Sequence, residues 1–186
     1  VVIKTKGTMM SVDYKMFVAM DENNLIGKNG RAPWNLGKHT KRFKGLTEGK
    51  AILMGRKTFE CLGNKPLAKR VNIVMSRDPN YKAPQYVYVV HSLEEVDELA
   101  EKNNIGEIFV IGGAELYRLY FMKVSRLYIT KVKDKIEPGK DSAYFDWNAG
   151  ADVYKHRMWI ELNKDEYEKD EENTHDFELL EMEPYE

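Results

Sequence analysis

The run Ile108-Phe109-Val110-Ile111 passes through Gly112-Gly113 straight into Ala114-Glu115-Leu116-Tyr117, and no other feature constrains the fold as much. A strand without polar alternation is covered on both faces. A strand that turns into a helix across two glycines belongs to a sheet built by strand-helix-strand crossovers. The same grammar recurs at Ala51–Met54 before Gly55-Arg56 and in Ile73-Val74-Met75 before Ser76-Arg77.

Strand candidates are Lys15–Met20, Ala51–Met54, Val71–Met75, Tyr86–Val90, Ile108–Ile111 and Arg126–Lys133, with a C-terminal pair near Arg157–Asn163 and Asp176–Glu183. Helical character falls on Thr40–Glu48, the stretch after Arg56, Ser92–Asn103 and Ala114–Lys123. Ser92-Leu93-Glu94-Glu95 reads as a capping box, and Leu93, Val96, Leu99 and Ala100 form one apolar stripe behind it. The alternation predicts an α/β fold with a mainly parallel sheet, closed by an antiparallel hairpin where the last two strands follow each other directly. The acidic stretch from Asp165 to Asp176 is expected to be the solvated loop of that hairpin.

At 186 residues the chain fits one domain, for which residues 9–186 are the expected extent; residues 1–8 precede Met9 and read as a cloning remnant or an upstream extension. A formal net charge of -1 gives no basic surface for nucleic acid. Cys61 is the only cysteine, so no internal disulfide can form, and no Cys/His spacing suits a structural zinc. No apolar run approaches membrane-spanning length. The expectation is a cytoplasmic, monomeric protein that binds neither metal nor membrane.

Chemistry concentrates at the strand ends. Gly112 and Gly113 let the backbone approach a ligand closely, and the helix start behind them offers free N–H groups, which suits phosphate; a tight structural turn is the other reading. Gly55-Arg56-Lys57-Thr58 repeats the arrangement with two cations and a hydroxyl, and Ser76-Arg77 ends a third strand. Three such ends at one edge of a parallel sheet are where a dinucleotide lies. The glycine-rich stretch Leu25–Leu36, ending in Pro33-Trp34, has the composition of a loop that closes over a ligand, or of a plain connection.

Taken together, Val18-Ala19-Met20, Leu25-Ile26-Gly27, Pro33-Trp34, Phe43, Met54-Gly55-Arg56-Lys57-Thr58-Phe59, Arg70, the Ile111–Tyr117 run and Leu127-Tyr128-Ile129-Thr130 resemble the dihydrofolate reductase family in order and spacing, from Tyr14 to Glu183. The resemblance implies an eight-stranded sheet with flanking helices, NADPH across the strand ends and a pteridine beside the nicotinamide. It implies reduction of 7,8-dihydrofolate to tetrahydrofolate, hence antifolates as further ligands. On it, Ala19, Ile26, Gly55, Arg56, Lys57, Thr58, Ser76, Arg77, Ile111, Gly112, Gly113, Ala114, Glu115 and Leu116 serve the cofactor, with Ser76 and Arg77 at the 2′-phosphate. Val18, Ala19, Phe43, Leu62, Ile111 and Tyr117 border the substrate, and Arg70 pairs with its glutamate α-carboxylate. Trp34 and Thr130 join the catalytic position at residue 39.

That position breaks the pattern. The family places an aspartate or glutamate five residues past the tryptophan; here His39 stands there, and Phe43 one helical turn later fixes the register. A carboxylate accepts from both donors of the pterin's N3–H and 2-amino edge, whereas neutral imidazole accepts one and imidazolium none. Three readings stay open: dihydrofolate reduction with His39 or a water anchored by Thr130 handling the proton, reduction of another heterocycle, or a catalytically weak binding relative, whether by nature or by an introduced substitution. Gly37 and Thr40 depart from the commoner proline and apolar residue beside it. His91, His156 and His175 read as surface or packing histidines, and Trp147 and Trp159 as packing.

Overall fold

The structure is a computed structural model that describes residues 11–149 and 157–185; residues 1–8 and His156 lie outside the described residues. In chain order its elements are β1 (Asp13–Met20), β2 (Leu25–Gly27), α1 (Gly37–Thr47), β3 (Ala51–Gly55), α2 (Arg56–Cys61), β4 (Val71–Met75) and β5 (Val87–Val90). They continue with α3 (Leu93–Lys102), β6 (Glu107–Val110), α4 (Ala114–Tyr120), β7 (Arg126–Val132), β8 (Ala143–Tyr144), β9 (Trp159–Tyr167) and β10 (Phe177–Pro184).

Eight strands make one sheet in the order β5-β4-β3-β6-β1-β7-β10-β9. The six from β5 to β7 run parallel, and β10 pairs antiparallel with both β7 and β9. The parallel strands are the apolar runs of the sequence: Ile52, Leu53, Ile73, Val74, Ile108 and Val110 have no exposed surface. One face carries a core that takes in Val96 and Ala100 of α3 and Leu116 and Tyr120 of α4; the other packs Phe17, Ile52 and Phe109 with Phe43 of α1 and Phe59 of α2. Coverage of both faces is why these strands need no polar alternation.

The strand order places β6, which comes late in the chain, between β3 and β1. The chain therefore leaves β1, skips one place, builds outward to β5, and returns to fill the gap. Such a reversal opens a crevice at the carboxyl ends of the strands, where Ala19, Gly55, Met75 and Ile111 all border one cavity.

Several boundaries differ from the sequence reading. Helix α1 begins at Gly37, not Thr40. Tyr86 precedes β5, with φ 68° and a side chain 81% exposed. The hairpin strand β9 runs to Tyr167, so Asp165 and Glu166 lie in a strand, not in a loop. A two-stranded sheet of β2 and β8 went unforeseen because each is only two or three residues long. At Ser92 the cap forms as expected, its hydroxyl accepting from the Glu95 N–H at 3.2 Å, but the Glu95 carboxylate reaches the N–H of His91 instead of that of Ser92. Trp147 and Trp159 pack with Phe121 and Phe145 in an aromatic cluster. Among the described residues, no helix is long and apolar enough to cross a membrane.

Candidate active site

The cavity at the strand ends measures about 1470 Å³. That exceeds the ~300–1,000 Å³ of a site for one drug-sized ligand, so two ligands can lie side by side. At one end the turns β3-α2 and β6-α4 are tied together by the Gly55 N–H, which donates to the Gly112 carbonyl at 2.7 Å. Gly112 has φ 117°, and a Cβ on it would meet the Tyr117 hydroxyl at 3.1 Å. Only glycine combines that backbone angle with that closeness. A Cβ on Gly113 would sit 3.5 Å from the Thr58 Oγ1, so the two turns and the Thr58 hydroxyl enclose a narrow cradle.

Gly113 caps α4, leaving the N–H groups of the first turn directed out of the helix. Arg56, Lys57, Ser76 and Arg77 border the same end. Arg56 lies 3.3 Å from Glu60, and Arg77 lies 3.5 Å from Glu115 with 86% of its side chain exposed. Exposed pairs of this kind are weak and give way easily to a stronger anion. Backbone donors, hydroxyls and cations together fit a dinucleotide carrying an additional phosphate. Ala114, Glu115 and Leu116 also line this end.

The other end is apolar. Ala19, Ile26, Trp34, Phe43, Leu62, Ile111 and Tyr117 line it as expected, and so do Phe17 and Leu67, which sequence reading missed. Phe17 packs at a tilt against both His39 and Phe43, with ring centres at 4.9 and 5.2 Å. The signal was available: side chains alternate along a strand, so with Ala19 in the cavity Phe17 must share its face and Val18 must point away. Val18 is indeed buried in the opposite core and does not line the cavity, which corrects its assignment to the substrate. The Tyr117 hydroxyl donates to the Phe17 carbonyl at 2.9 Å, and burial raises its pKa, so Tyr117 acts as a fixed wall.

His39 projects from the first turn of α1 into this end. Its Nδ1 is 2.7 Å from Oγ1 of Thr130, a residue with no exposed surface that belongs to β7. Burial first, then the positive charge of Arg42, lower the His39 pKa to about 4, so the ring is neutral at physiological pH. Arg42 is held by the carbonyls of Ile129 and Leu180 at 3.4 and 3.2 Å and lies over the Tyr128 ring. Thr130 does not itself line the cavity and reaches it only through its contact with His39.

Arg70 lies outside the cavity lining too, although its guanidinium sits 5.7 Å from the Phe43 ring centre and is oriented by Thr47 and the Ala68 carbonyl at 3.1 and 2.8 Å. Those bonds leave part of its fork of donors for a carboxylate. The Lys28–Arg31 stretch is a tight Asn-Gly turn, with φ 52° at Asn29 and 77° at Gly30 and reciprocal backbone bonds between Lys28 and Arg31.

The acidic stretch between β9 and β10 is not merely solvated. The Glu172 carbonyl accepts from the Gly37 N–H at 3.0 Å, and the Asn173 side-chain oxygen accepts from the Lys38 N–H at 3.2 Å. Asn35 and Thr174 add reciprocal bonds, and Lys41 pairs with Glu172 at 2.7 Å. This loop therefore supplies the cap that α1 lacks in its own sequence. Among the described residues, no group of three or more His, Cys, Asp or Glu could hold a metal ion.

Phosphate donors at one end of a switch-point crevice and an apolar slot with one buried polar group at the other define a dinucleotide-dependent enzyme acting on a flat heterocycle. A profile of the family described as Dihydrofolate reductase matches residues 13–184. The dihydrofolate reductase of Bacillus subtilis is 39% identical over 162 residues, 87% of this chain and 89% of that protein. That of Haemophilus influenzae is 34% identical over 168 residues, covering 90% and 96%. A solved structure of dihydrofolate reductase from Enterococcus faecalis, complexed with NADP(H) and RAB-propyl, superposes with TM-score 0.80 at 28% identity over 94% of this chain and 97% of that one. The chain belongs to the dihydrofolate reductase family. Its activity is the NADPH-dependent reduction of 7,8-dihydrofolate to 5,6,7,8-tetrahydrofolate.

Proposed function

We propose that the chain performs this reduction with a neutral histidine where the family uses an acid, and that His39 orients the substrate while solvent supplies the proton. The observation that carries the reading is the 2.7 Å contact between His39 Nδ1 and Thr130 Oγ1. If Nδ1–H donates to that hydroxyl, Nε2 is left as a lone pair facing the cavity and accepts one N–H of the pterin edge. With its pKa lowered to about 4, the ring is neutral at pH 7 and holds almost no proton to give. The proton for N5 then comes from water through the open cavity mouth.

The other roles follow from chemistry and position. Arg56, Lys57, Thr58, Ser76 and Arg77 hold the phosphates of NADPH with the Gly112-Gly113 turn, and the loop from Lys28 to Trp34 closes over the reacting rings. When bound, NADPH supplies the hydride to C6 of the pterin. Phe17, Phe43 and Leu62 flank the pterin and the aminobenzoyl group, and Arg70 pairs with the glutamate α-carboxylate. Antifolates of the pteridine and diaminopyrimidine kinds share this slot. We assign the protein to the cytoplasm as a monomer of one domain over residues 9–186, in keeping with its single exposed Cys61.

Thr130→Val tests the reading. Freed of its partner, the His39 ring loses its fixed tautomer; kcat should fall about tenfold and KM for dihydrofolate should rise, while Thr130→Ser retains activity. Unchanged kinetics in Thr130→Val would show that the contact has no part in substrate orientation.

A further inference from the structure

His39 shares its face of α1 with a cation. Arg42 follows it by one helical turn, and residues three apart on a helix are neighbours. The guanidinium donates to the carbonyls of Ile129 and Leu180 at 3.4 and 3.2 Å and lies 5.3 Å from the centre of the Tyr128 ring. Carbonyls and a ring face orient a guanidinium without neutralising it.

No carboxylate among the described residues lies within ion-pairing distance of Arg42, and Glu181 of β10 binds Arg126 at 2.9 Å instead. Burial lowers the pKa of Arg42, while Glu181, Tyr128 of β7, and Asp165 and Tyr167 of β9 oppose that shift. A guanidinium starts so far above neutrality that its charge remains. The polar end of the slot therefore meets an uncharged acceptor, His39, with a fixed positive charge behind it. A carboxylate in the place of His39 would balance that charge, and a neutral imidazole does not.

We propose that Arg42 is a specificity-determining residue that selects ligands by charge: the slot admits neutral heterocycles, such as the pterin of dihydrofolate, and turns away those that carry a ring proton. Arg42 does not line the cavity, so it is a positioning residue that acts through its field and through His39. The proposal rests on the reading that the pterin edge lies against His39. The ligands it discriminates against are 2,4-diaminopyrimidines, weak bases that gain a ring proton near neutrality. Only their neutral form should bind well, so their apparent affinity should follow the neutral fraction and rise with pH.

The test is the affinity of the unmodified protein for a 2,4-diamino-5-benzylpyrimidine and for folate, whose pterin ring is neutral, from about pH 5.5 to about pH 7.5. His39, with its pKa lowered to about 4, and Tyr128, with its pKa raised, keep one protonation state across that window. The ratio of diaminopyrimidine to folate affinity should rise roughly tenfold with pH. Arg42→Lys keeps the charge and should keep the rise; Arg42→Met removes the charge and should reduce it about three- to fivefold, the size of one partly screened charge interaction. A ratio that is flat or falls with pH in the unmodified protein would overturn the proposal without recourse to any variant. So would a rise undiminished in Arg42→Met, or one lost equally in Arg42→Lys, which would assign the effect to packing. Failure of folate to bind at any pH would instead overturn the reading of the slot on which the proposal rests.

Discussion

The proposed role of His39 as an acceptor requires an uncharged ring, and its surroundings keep it so. The same surroundings fix its pH behaviour. With a folded pKa of about 4 against ~6.5 for a free imidazole, the unfolded chain binds more protons between those values, so this residue's contribution to stability falls as pH drops from 6.5 to 4. The loss is on the order of 2 kcal/mol, limited by the edge of the ring that opens on the cavity. Denaturant titrations at pH 7 and pH 4.5 should show that difference, and His39→Asn should reduce it. The kinetic counterpart is a KM for dihydrofolate that stays flat from pH 8 to about pH 5.5 and rises as the imidazole charges below that. A KM that rises through pH 6.5 would show that the ring titrates as it would in water. Arg42, which disfavours imidazolium, would favour a carboxylate at the same place. His39→Asp is therefore expected to increase turnover near neutral pH and tighten diaminopyrimidine antifolates roughly tenfold, read by steady-state kinetics and inhibitor titration.

Helix α1 carries His39, yet its beginning was the least legible element. Gly37, Lys38, His39 and Thr40 give no capping signal of their own, because the cap comes from a loop 135 residues later in the chain. That loop also accounts for Gly37, where the family commonly has proline. The Gly37 N–H donates to the Glu172 carbonyl, which proline could not do, and a Cβ here would lie 3.2 Å from Glu172. Thr40 spends its hydroxyl on the Leu36 carbonyl at 3.2 Å. Gly37→Pro should cost about 2–3 kcal/mol in thermal or denaturant unfolding, and Asn173→Ala about 1–2 kcal/mol. Because the bonds fix the first turn of α1, Asn173→Ala should also raise KM for dihydrofolate more than KM for NADPH. Equal effects on both would assign the loop to stability alone. Elements whose signals are local, such as α3 with its Ser92 cap and the double-glycine turn before α4, could be read directly from the sequence.

At the level of the whole molecule, the alternation of apolar strands and helices made the parallel sheet and its hairpin legible, since each strand's composition reflects cover on both faces. The insertion of β6 between β3 and β1 was not legible from pattern, because strand order is set by which helices pack on which face; the family resemblance implied only the number of strands. Most of the site assignments came from that resemblance, and the sheet's own geometry corrected one of them: β1 turns Val18 into the core and Phe17 toward His39 and the cavity.

The central claim is that this scaffold reduces dihydrofolate with histidine in place of the acid. The most direct measurement is NADPH-dependent reduction of dihydrofolate by the unmodified protein, followed by loss of the reduced cofactor's absorbance beside His39→Asp. Turnover by the unmodified protein, rising in His39→Asp, is the predicted result; no turnover by the unmodified protein, with activity only in His39→Asp, would contradict it.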